Sequence, residues 1–331
     1  MKAIIWTKYG SPDGLKLKEI DKPVPGDNEI LVKVHATTVT AGDYEMRSLK
    51  FPFWLWLPMR LYVGLFKPVR VSIIGQELAG EVESVGKGVT QYTPGDRVFG
   101  ATGFRTGTYA EYVCLPEVPG DTEGVLAQMP ENVSYEEAAA VPTGGLEALH
   151  FLRKAAIQPG QKILINGAGG SIGTFGVQLA KLFGAEVTAV DSAGKLAMLR
   201  SIGADHVIDY MREDFTRNGQ VYDVIFDVIG KSPFFRSIRS LKQGGVFLMA
   251  NPKFSRMALG GLVSRTAGKQ IIFEMNKQEK KDLIYLQNLI EQGKLKTVIG
   301  KRFSLEQMAE AHRYVESGAK QGNLVITLHQ A

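Results

Sequence analysis

One cysteine, Cys114, in 331 residues excludes an intramolecular disulfide framework and a four-cysteine zinc loop. A lone thiol fits a reducing compartment. Blocks of one charge are also missing: 39 Lys and Arg are scattered among 34 Asp and Glu, and the net charge of +5 forms no tract that could track a polyanion. Nucleic acid is therefore not an expected partner. The most apolar stretch, FPFWLWLPMRLYVGLF from Phe51 to Phe66, is interrupted by Pro52, Pro58 and Arg60 and falls short of the roughly 20 residues a membrane-spanning helix needs. The opening MKAIIWTKYG meets Lys8 too early for a secretory signal. There is no internal repeat or low-complexity tract. The expectation is a cytoplasmic globular protein long enough for two domains.

From Lys2 to about Glu123 the chain carries short β-rich runs between Gly and Pro: KAIIW, EILVKVHATTV, GEVESVG, DRVFG and TYAEYVCL. These predict an antiparallel, barrel-like β domain. From about Ser134 apolar strands alternate with longer helical patterns: KILING, TFGVQLAKLFG, EVTAVD, KLAMLRSIG, HVIDY, YDVIFDVIG, GGVFLMA and KQIIFEM. Such alternation predicts an α/β domain with a doubly wound parallel sheet. Two helical stretches and a last strand, NLVITLH, follow. The expected division is 1–123 with 277–331 in one domain, and 124–276 in the other.

The strand 162–166 runs directly into Gly167, Ala168, Gly169, Gly170, Ser171, Ile172 and Gly173, with a helix expected from about Ile172. A strict G-x-G-x-x-G fails, because Ile172 falls in the last place. The pattern Ala168-x-Gly170-x-x-Gly173 fits: Gly170 allows close approach of a pyrophosphate, and Gly173 lets the helix sit against the strand. Asp191 ends the next strand about 20 residues on, as a dinucleotide site requires. An acid there accepts hydrogen bonds from a ribose and favours NADH. Ser192 and Lys195 follow closely, and a lysine can pair with the 2′-phosphate of NADPH. These residues alone leave the choice open.

The segments GQELAGEVESVGKGV (75–89), PGDRVFG (94–100), GTYAEYV (107–113), AAAVPTGGLEALHFL (138–152), IGADHVIDY (202–210) and GNLVIT (322–327), with the glycine loop among them, occur in one recognisable order. The chain resembles the medium-chain dehydrogenase/reductase superfamily, in its zinc-free quinone oxidoreductase branch. The resemblance covers nearly the whole chain. It implies a GroES-like β domain, a Rossmann domain with the active-site cleft between the two, and NAD(P)H-dependent reduction. Metal-dependent relatives begin their catalytic zinc site with Cys and His where this chain has Thr40 and Gln76, neither a usual zinc ligand. No metal is expected. Without a Lewis acid, a conjugated acceptor such as a quinone or an α,β-unsaturated carbonyl is favoured, because it spreads the arriving charge into its own oxygen.

By the same resemblance Thr40, Asp43, Tyr44 and Arg47 line the substrate side, with Tyr44 able to donate a proton; Asp43 and Arg47 could equally form a structural ion pair. Thr143 approaches the nicotinamide end, Glu147 stands where relatives carry Thr, and His150 reads as a helix-packing residue. Lys195 and Tyr210 match positions that contact the adenosine phosphate in NADPH-using relatives, which tips the expectation to NADPH with NADH as the alternative. Val228, Ile229 and Gly230 of DVIG, and Met249, Ala250 and Asn251, border the nicotinamide ribose. Asn323 stands where relatives often have Lys. KQIIFEM resembles an edge strand through which relatives dimerise, so a homodimer is expected. The aromatic stretch 51–66 reads as a lid or pocket wall for a hydrophobic acceptor, as a peripheral membrane contact, or as a packed loop. Two other functional readings stay open: a metal-free alcohol dehydrogenase-like enzyme, and a non-catalytic NADPH-binding structural or redox-sensing protein.

Overall fold

The structure, a computed structural model, describes residues 1–331 except 51–52, 121, 252–255, 257–259, 262, 265–267, 275 and 329–331, together with the side chains of 53–55. Two compact units divide it: Met1–Thr143 with Lys277–Gly293 and Thr297–Ala331, and Gly144–Asn276 with Lys294–Lys296.

The first unit opens with β1 (Lys2–Trp6) and β2 (Leu15–Glu19), an antiparallel pair, then β3 (Glu29–Thr38), α1 (Ala41–Ser48) and α2 (Phe53–Val63). It continues through β4 (Glu77–Val85), β5 (Arg97–Ala101), β6 (Tyr112–Pro116), β7 (Val125–Gln128) and α3 (Tyr135–Ala139). The boundary expected after residue 123 lies after Thr143 instead, because β7 pairs with β5 in register and completes the antiparallel sheet.

In the second unit α4 (Pro142–Lys154), which the division crosses, leads to β8 (Lys162–Asn166), α5 (Ser171–Leu182), β9 (Glu186–Asp191), α6 (Leu196–Ser201) and β10 (His206–Asp209). Then come β11 (Tyr222–Asp227), α7 (Phe234–Arg239), β12 (Leu241–Met249) and β13 (Gln270–Ile272). All pairs are parallel, in the order β10-β9-β8-β11-β12-β13. That is the doubly wound order, which reverses direction between β8 and β11. Ligands in such sheets bind beyond the carboxyl ends of the strands at this reversal. Its strands are near-continuous apolar runs, as burial on both faces demands, and Leu164, Ile225 and Phe247 sit in its core.

The chain returns to the first unit as α8 (Lys280–Glu291), β14 (Ile299–Ser304), α9 (Met308–Glu316) and β15 (Asn323–Thr327). β15 pairs antiparallel with β3, giving the order β14-β15-β3-β4-β5-β7 with β6 also on β3. The α/β class, with a parallel sheet in one unit and mainly antiparallel pairing in the other, is as the sequence predicts; the parallel β14–β15 pair at the edge of the seven-stranded sheet is the exception among its described strand pairs. The stretch around Pro58 forms a helix rather than a loop: Val63 is fully buried in the core of the first unit with Met59 packed against it, and that burial outweighs the helix-breaking proline. Residues 51–52 and the side chains of 53–55 lie outside the described residues.

Candidate functional site

β8 ends at Asn166, and Gly167 turns the chain with φ +84, a left-handed backbone that favours glycine. A Cβ there would meet Ile229 Cγ2 at 2.5 Å, so the loops after β8 and β11 touch at the sheet reversal. Gly173 is equally tight, its Cβ position lying 2.5 Å from Ala168 Cα. Gly170 is different. At φ −95 its Cβ would have only Gly167 O nearby, at 3.9 Å, and Gly170 is the N-cap of α5, where no side chain caps the helix. Open space beside an uncapped N-terminus, with its partial positive charge, suits an anionic group. A dinucleotide pyrophosphate fits this cradle.

Asp191 is buried at the end of β9, and its carboxylate is already engaged. Oδ2 accepts from Gly169 N at 2.8 Å, and Oδ1 accepts from Ser192 N at 2.8 Å and faces Lys195 Nζ at 3.1 Å. The acid therefore braces the glycine loop and neutralises Lys195, though a carboxylate has lone pairs left for a ribose hydroxyl. Tyr210 follows β10, where Asp209 pairs with Asp191; its backbone N–H donates to Asp191 O at 3.2 Å and its ring is exposed. On the other side of the reversal, Asp227 accepts from Asn166 Nδ2 at 2.9 Å, Gly230 N at 3.1 Å and Ser232 Oγ at 2.6 Å, and pairs with Arg256. Asn251 Nδ2 donates to Val228 O at 2.9 Å, and Ala250 N to Asp227 O at 3.3 Å, joining the segment after β12 to Val228–Gly230. The glycine loop, Asp191, Ser192, Lys195, Tyr210, residues 228–230 and 249–251 thus gather at one end of one sheet.

Thr40, Asp43, Tyr44, Thr143 and Asn323 belong to the first unit. Thr40 is the N-cap of α1: its hydroxyl accepts from Asp43 N at 3.1 Å, while Asp43 Oδ2 accepts from Thr40 N at 2.8 Å and Thr40 Oγ1 at 2.7 Å. This is a reciprocal capping box. Burial pushes the Asp43 carboxyl up to about 6, against the Thr40 hydrogen bonds that hold it down. An Asp43–Arg47 ion pair is not formed. Arg47 is fully buried, with Nε donating to His312 Nδ1 at 3.2 Å and its other end 2.8 Å from Glu316, because a tertiary acid at α9 reaches a guanidinium that α1 turns inward. Burial, with Arg47 beside it, drives the His312 imidazole down to about 3 and keeps it neutral. Tyr44 is half-buried, and its phenolic oxygen accepts from Lys50 Nζ at 2.6 Å.

A Cβ on Gly42 would lie 3.1 Å from Gln76 Oε1 and 3.6 Å from Thr40 Oγ1, so these two side chains flank one point. Gln76 Nε2 donates to Gly103 O at 3.3 Å. The next residue is one the sequence reading did not single out. Glu77 is buried, takes the Thr38 hydroxyl on one oxygen, and takes Thr143 N on the other at 2.6 Å, fixing the start of α4; burial raises its carboxyl above the usual range. Its position directly after Gln76 was the available signal. Asn323 is buried and sends both its backbone and side-chain N–H to Val298 O, at 2.7 and 3.2 Å.

Glu147 lies one helical turn beyond Thr143 on α4, on the same face, and burial pushes its carboxyl up to about 7. Its proton is held more tightly folded than unfolded, where the value is near 4.5. The associated stability is complete below the unfolded value and is lost as pH rises through the folded one. Glu147→Gln should therefore stabilise the chain by about 1–3 kcal/mol at about pH 8 and by almost nothing at about pH 4. Urea denaturation of both forms across that range checks it; an equal difference at both ends would contradict it.

Residues 26–120 match the model of the alcohol dehydrogenase GroES-like domain, and 202–326 match that of a zinc-binding dehydrogenase. The chain is 32% identical, over 98% of its length and 79% of the relative's, to the 2-methylene-furan-3-one reductase of Solanum lycopersicum. Among solved structures, the quinone oxidoreductase of Coxiella burnetii superposes with a TM-score of 0.87 at 31% identity, covering 99% of both chains. The quinone oxidoreductase of Escherichia coli, complexed with NADPH, superposes with a TM-score of 0.84 at 26% identity, over 99% of this chain and 100% of that one. With a doubly wound parallel unit, a mainly antiparallel unit and these relatives over almost its whole length, the chain belongs to the medium-chain dehydrogenase/reductase superfamily, in its quinone oxidoreductase-like branch.

Proposed function

We propose that the protein is an NADPH-dependent reductase that delivers a hydride to a quinone or an α,β-unsaturated carbonyl and works without a catalytic metal. The observation that carries this reading is the open cradle at Gly170, with Lys195 held near the same loop by Asp191. Gly170 and the N-terminus of α5 would hold the pyrophosphate, Lys195 and Tyr210 the adenosine end, and residues 228–230 with 249–251 the nicotinamide ribose; Thr143, fixed by Glu77, would approach the nicotinamide. The reduced nicotinamide supplies the hydride when bound. The chain's own part is to orient the reactants and steady the oxygen that gains charge. Tyr44 suits that task, because Lys50 donates to its phenolic oxygen and leaves its own O–H proton to be given away.

Thr40 and Gln76 support the metal-free reading: a hydroxyl spent on a helix cap and an amide are poor zinc ligands. Cys114 argues for catalysis over thiol-based redox sensing, since burial pushes its thiol up to about 11 and suppresses the reactive thiolate. β13 ends the parallel sheet among the described residues, with Met275 of KQIIFEM outside them, and its edge supports pairing of two copies; sedimentation velocity measures that directly.

The test of the activity is NADPH oxidation with a panel of 1,4-quinones and trans-enals, beside ethanol and cyclohexanone, before and after chelation. Turnover of the conjugated acceptors alone, unmoved by chelator, is expected; chelator-sensitive alcohol oxidation would overturn the mechanism. Cofactor choice has its own test. Lys195→Ala removes the cation and leaves Asp191 uncompensated beside the 2′-phosphate, so NADPH affinity should fall about 10- to 100-fold while NADH changes little. Equal losses for the two cofactors would place Lys195 outside the phosphate site.

A further inference from the structure

We propose that α2 and the turn after it form a docking face for the surface of an anionic lipid bilayer. The inner side of α2 is spent on the core through Val63 and Met59. Its outer side and the following turn present Leu57, Leu61, Tyr62, Leu65, Phe66 and Val69 to solvent, with Phe66 85% and Val69 65% exposed. Scattered exposed apolar residues are ordinary, but these six and Trp56, all exposed within one short segment, make the kind of apolar concentration that marks an interaction surface.

Charge selects the occupant. Residues 46–76 contain Arg47, Lys50, Arg60, Lys67 and Arg70 and no carboxylate. Arg47 is consumed internally by Glu316, but Lys50, Lys67 and Arg70 are exposed, and neither Lys67 nor Arg70 pairs with a carboxylate among the described residues. The Arg60 guanidinium lies over the rings of Trp56 and Tyr9, 4.7 and 4.8 Å from their centroids, and donates to Leu65 O at 2.8 Å, which fixes a cation within the apolar patch. Phe and Leu that enter the acyl boundary while flanking Lys and Arg meet lipid phosphates constitute the signature of an interfacial, non-spanning contact. A self-contact between two copies would set these cations against each other.

The experiment is flotation of the full chain with vesicles of phosphatidylcholine alone and of phosphatidylcholine with phosphatidylglycerol. Recovery with the anionic vesicles only, reduced about 10-fold or more by about 0.5 M salt, is expected. The double variant Leu61→Ser, Phe66→Ser, and separately Lys67→Glu with Arg70→Glu, should each lower that recovery about 10-fold while leaving NADPH affinity and sedimentation coefficient unchanged. The charge variant guards against a folding defect in the apolar one, because both of its positions are exposed. Absence of vesicle binding, binding indifferent to lipid charge, or binding that survives both variants would overturn the proposal. A change of oligomeric state in either variant would reassign the face to self-association and also overturn it.

Discussion

Gly170→Val should fold like the parent chain and lose about 100-fold or more in NADPH affinity, near 3 kcal/mol. The two halves of that expectation come from the same backbone. At φ −95 the position accepts an L side chain without strain, and a Cβ has no neighbour closer than Gly167 O at 3.9 Å. The only cost to stability is the replacement of a tolerated N-cap residue by a poor one, about 1 kcal/mol. The isopropyl group then occupies the space beside the N-terminus of α5 that a pyrophosphate needs. Gly173→Val is the contrasting control: its Cβ would stand 2.5 Å from Ala168 Cα and from Gly167 O, both backbone, so the helix would have to move and the loss would appear as unfolding. Fluorescence titration of NADPH, beside thermal melts of all three forms, separates the two effects. Unchanged affinity in a folded Gly170→Val chain would remove the cofactor from this loop.

The conformation of the glycine loop was legible because every level of its local sequence agrees. β8 is an apolar run, Gly167 meets the one turn that needs positive φ, and the helical apolar period begins where α5 begins. Asp191 was legible by its spacing, but its engagement was not: contacts with Gly169 N and Lys195 depend on where the loop lies after folding. Arg47 shows the same limit more sharply. Its spacing from Asp43 suits a local pair, yet its partners are His312, 265 positions away in sequence, and Glu316 beyond it. Nothing in a one-dimensional pattern ranks a distant acid above a near one. β14 is not legible in the sequence because IGKRFS is mostly exposed and lacks alternation, and pairing with β15 rather than its own pattern makes it a strand. The burial of Glu77 and Glu147 was hidden for the related reason that a carboxylate reads as surface until its surroundings are known.

Asp227 carries the second large effect. It is fully buried at the end of β11 and accepts from Asn166 Nδ2, Gly230 N, and Ser232 N and Oγ, with Arg256 3.3 Å away. Asp227→Ala would leave several buried donors and a half-buried guanidinium without their acceptor, and removing one member of such a network costs about 3–5 kcal/mol. Asp227→Asn keeps one acceptor oxygen while losing the charge and should cost less, about 1–3 kcal/mol. The damage should also be local. Gly230, at φ +63, is held by Asp227 with no room for a Cβ against Asn251 O at 2.1 Å, and Ile229 lies against Gly167, so a loosened Val228–Gly230 turn disturbs the glycine loop from the other side of the sheet reversal. NADPH affinity should therefore fall in both variants in the same order as stability, even at temperatures where each remains folded. Denaturant midpoints give the first quantity and cofactor titration the second. If Asp227→Ala matched the parent chain in midpoint, the hydrogen bonds gathered on this carboxylate would not hold the two loops together; if stability fell without any change in affinity, residues 228–230 would not border the bound cofactor.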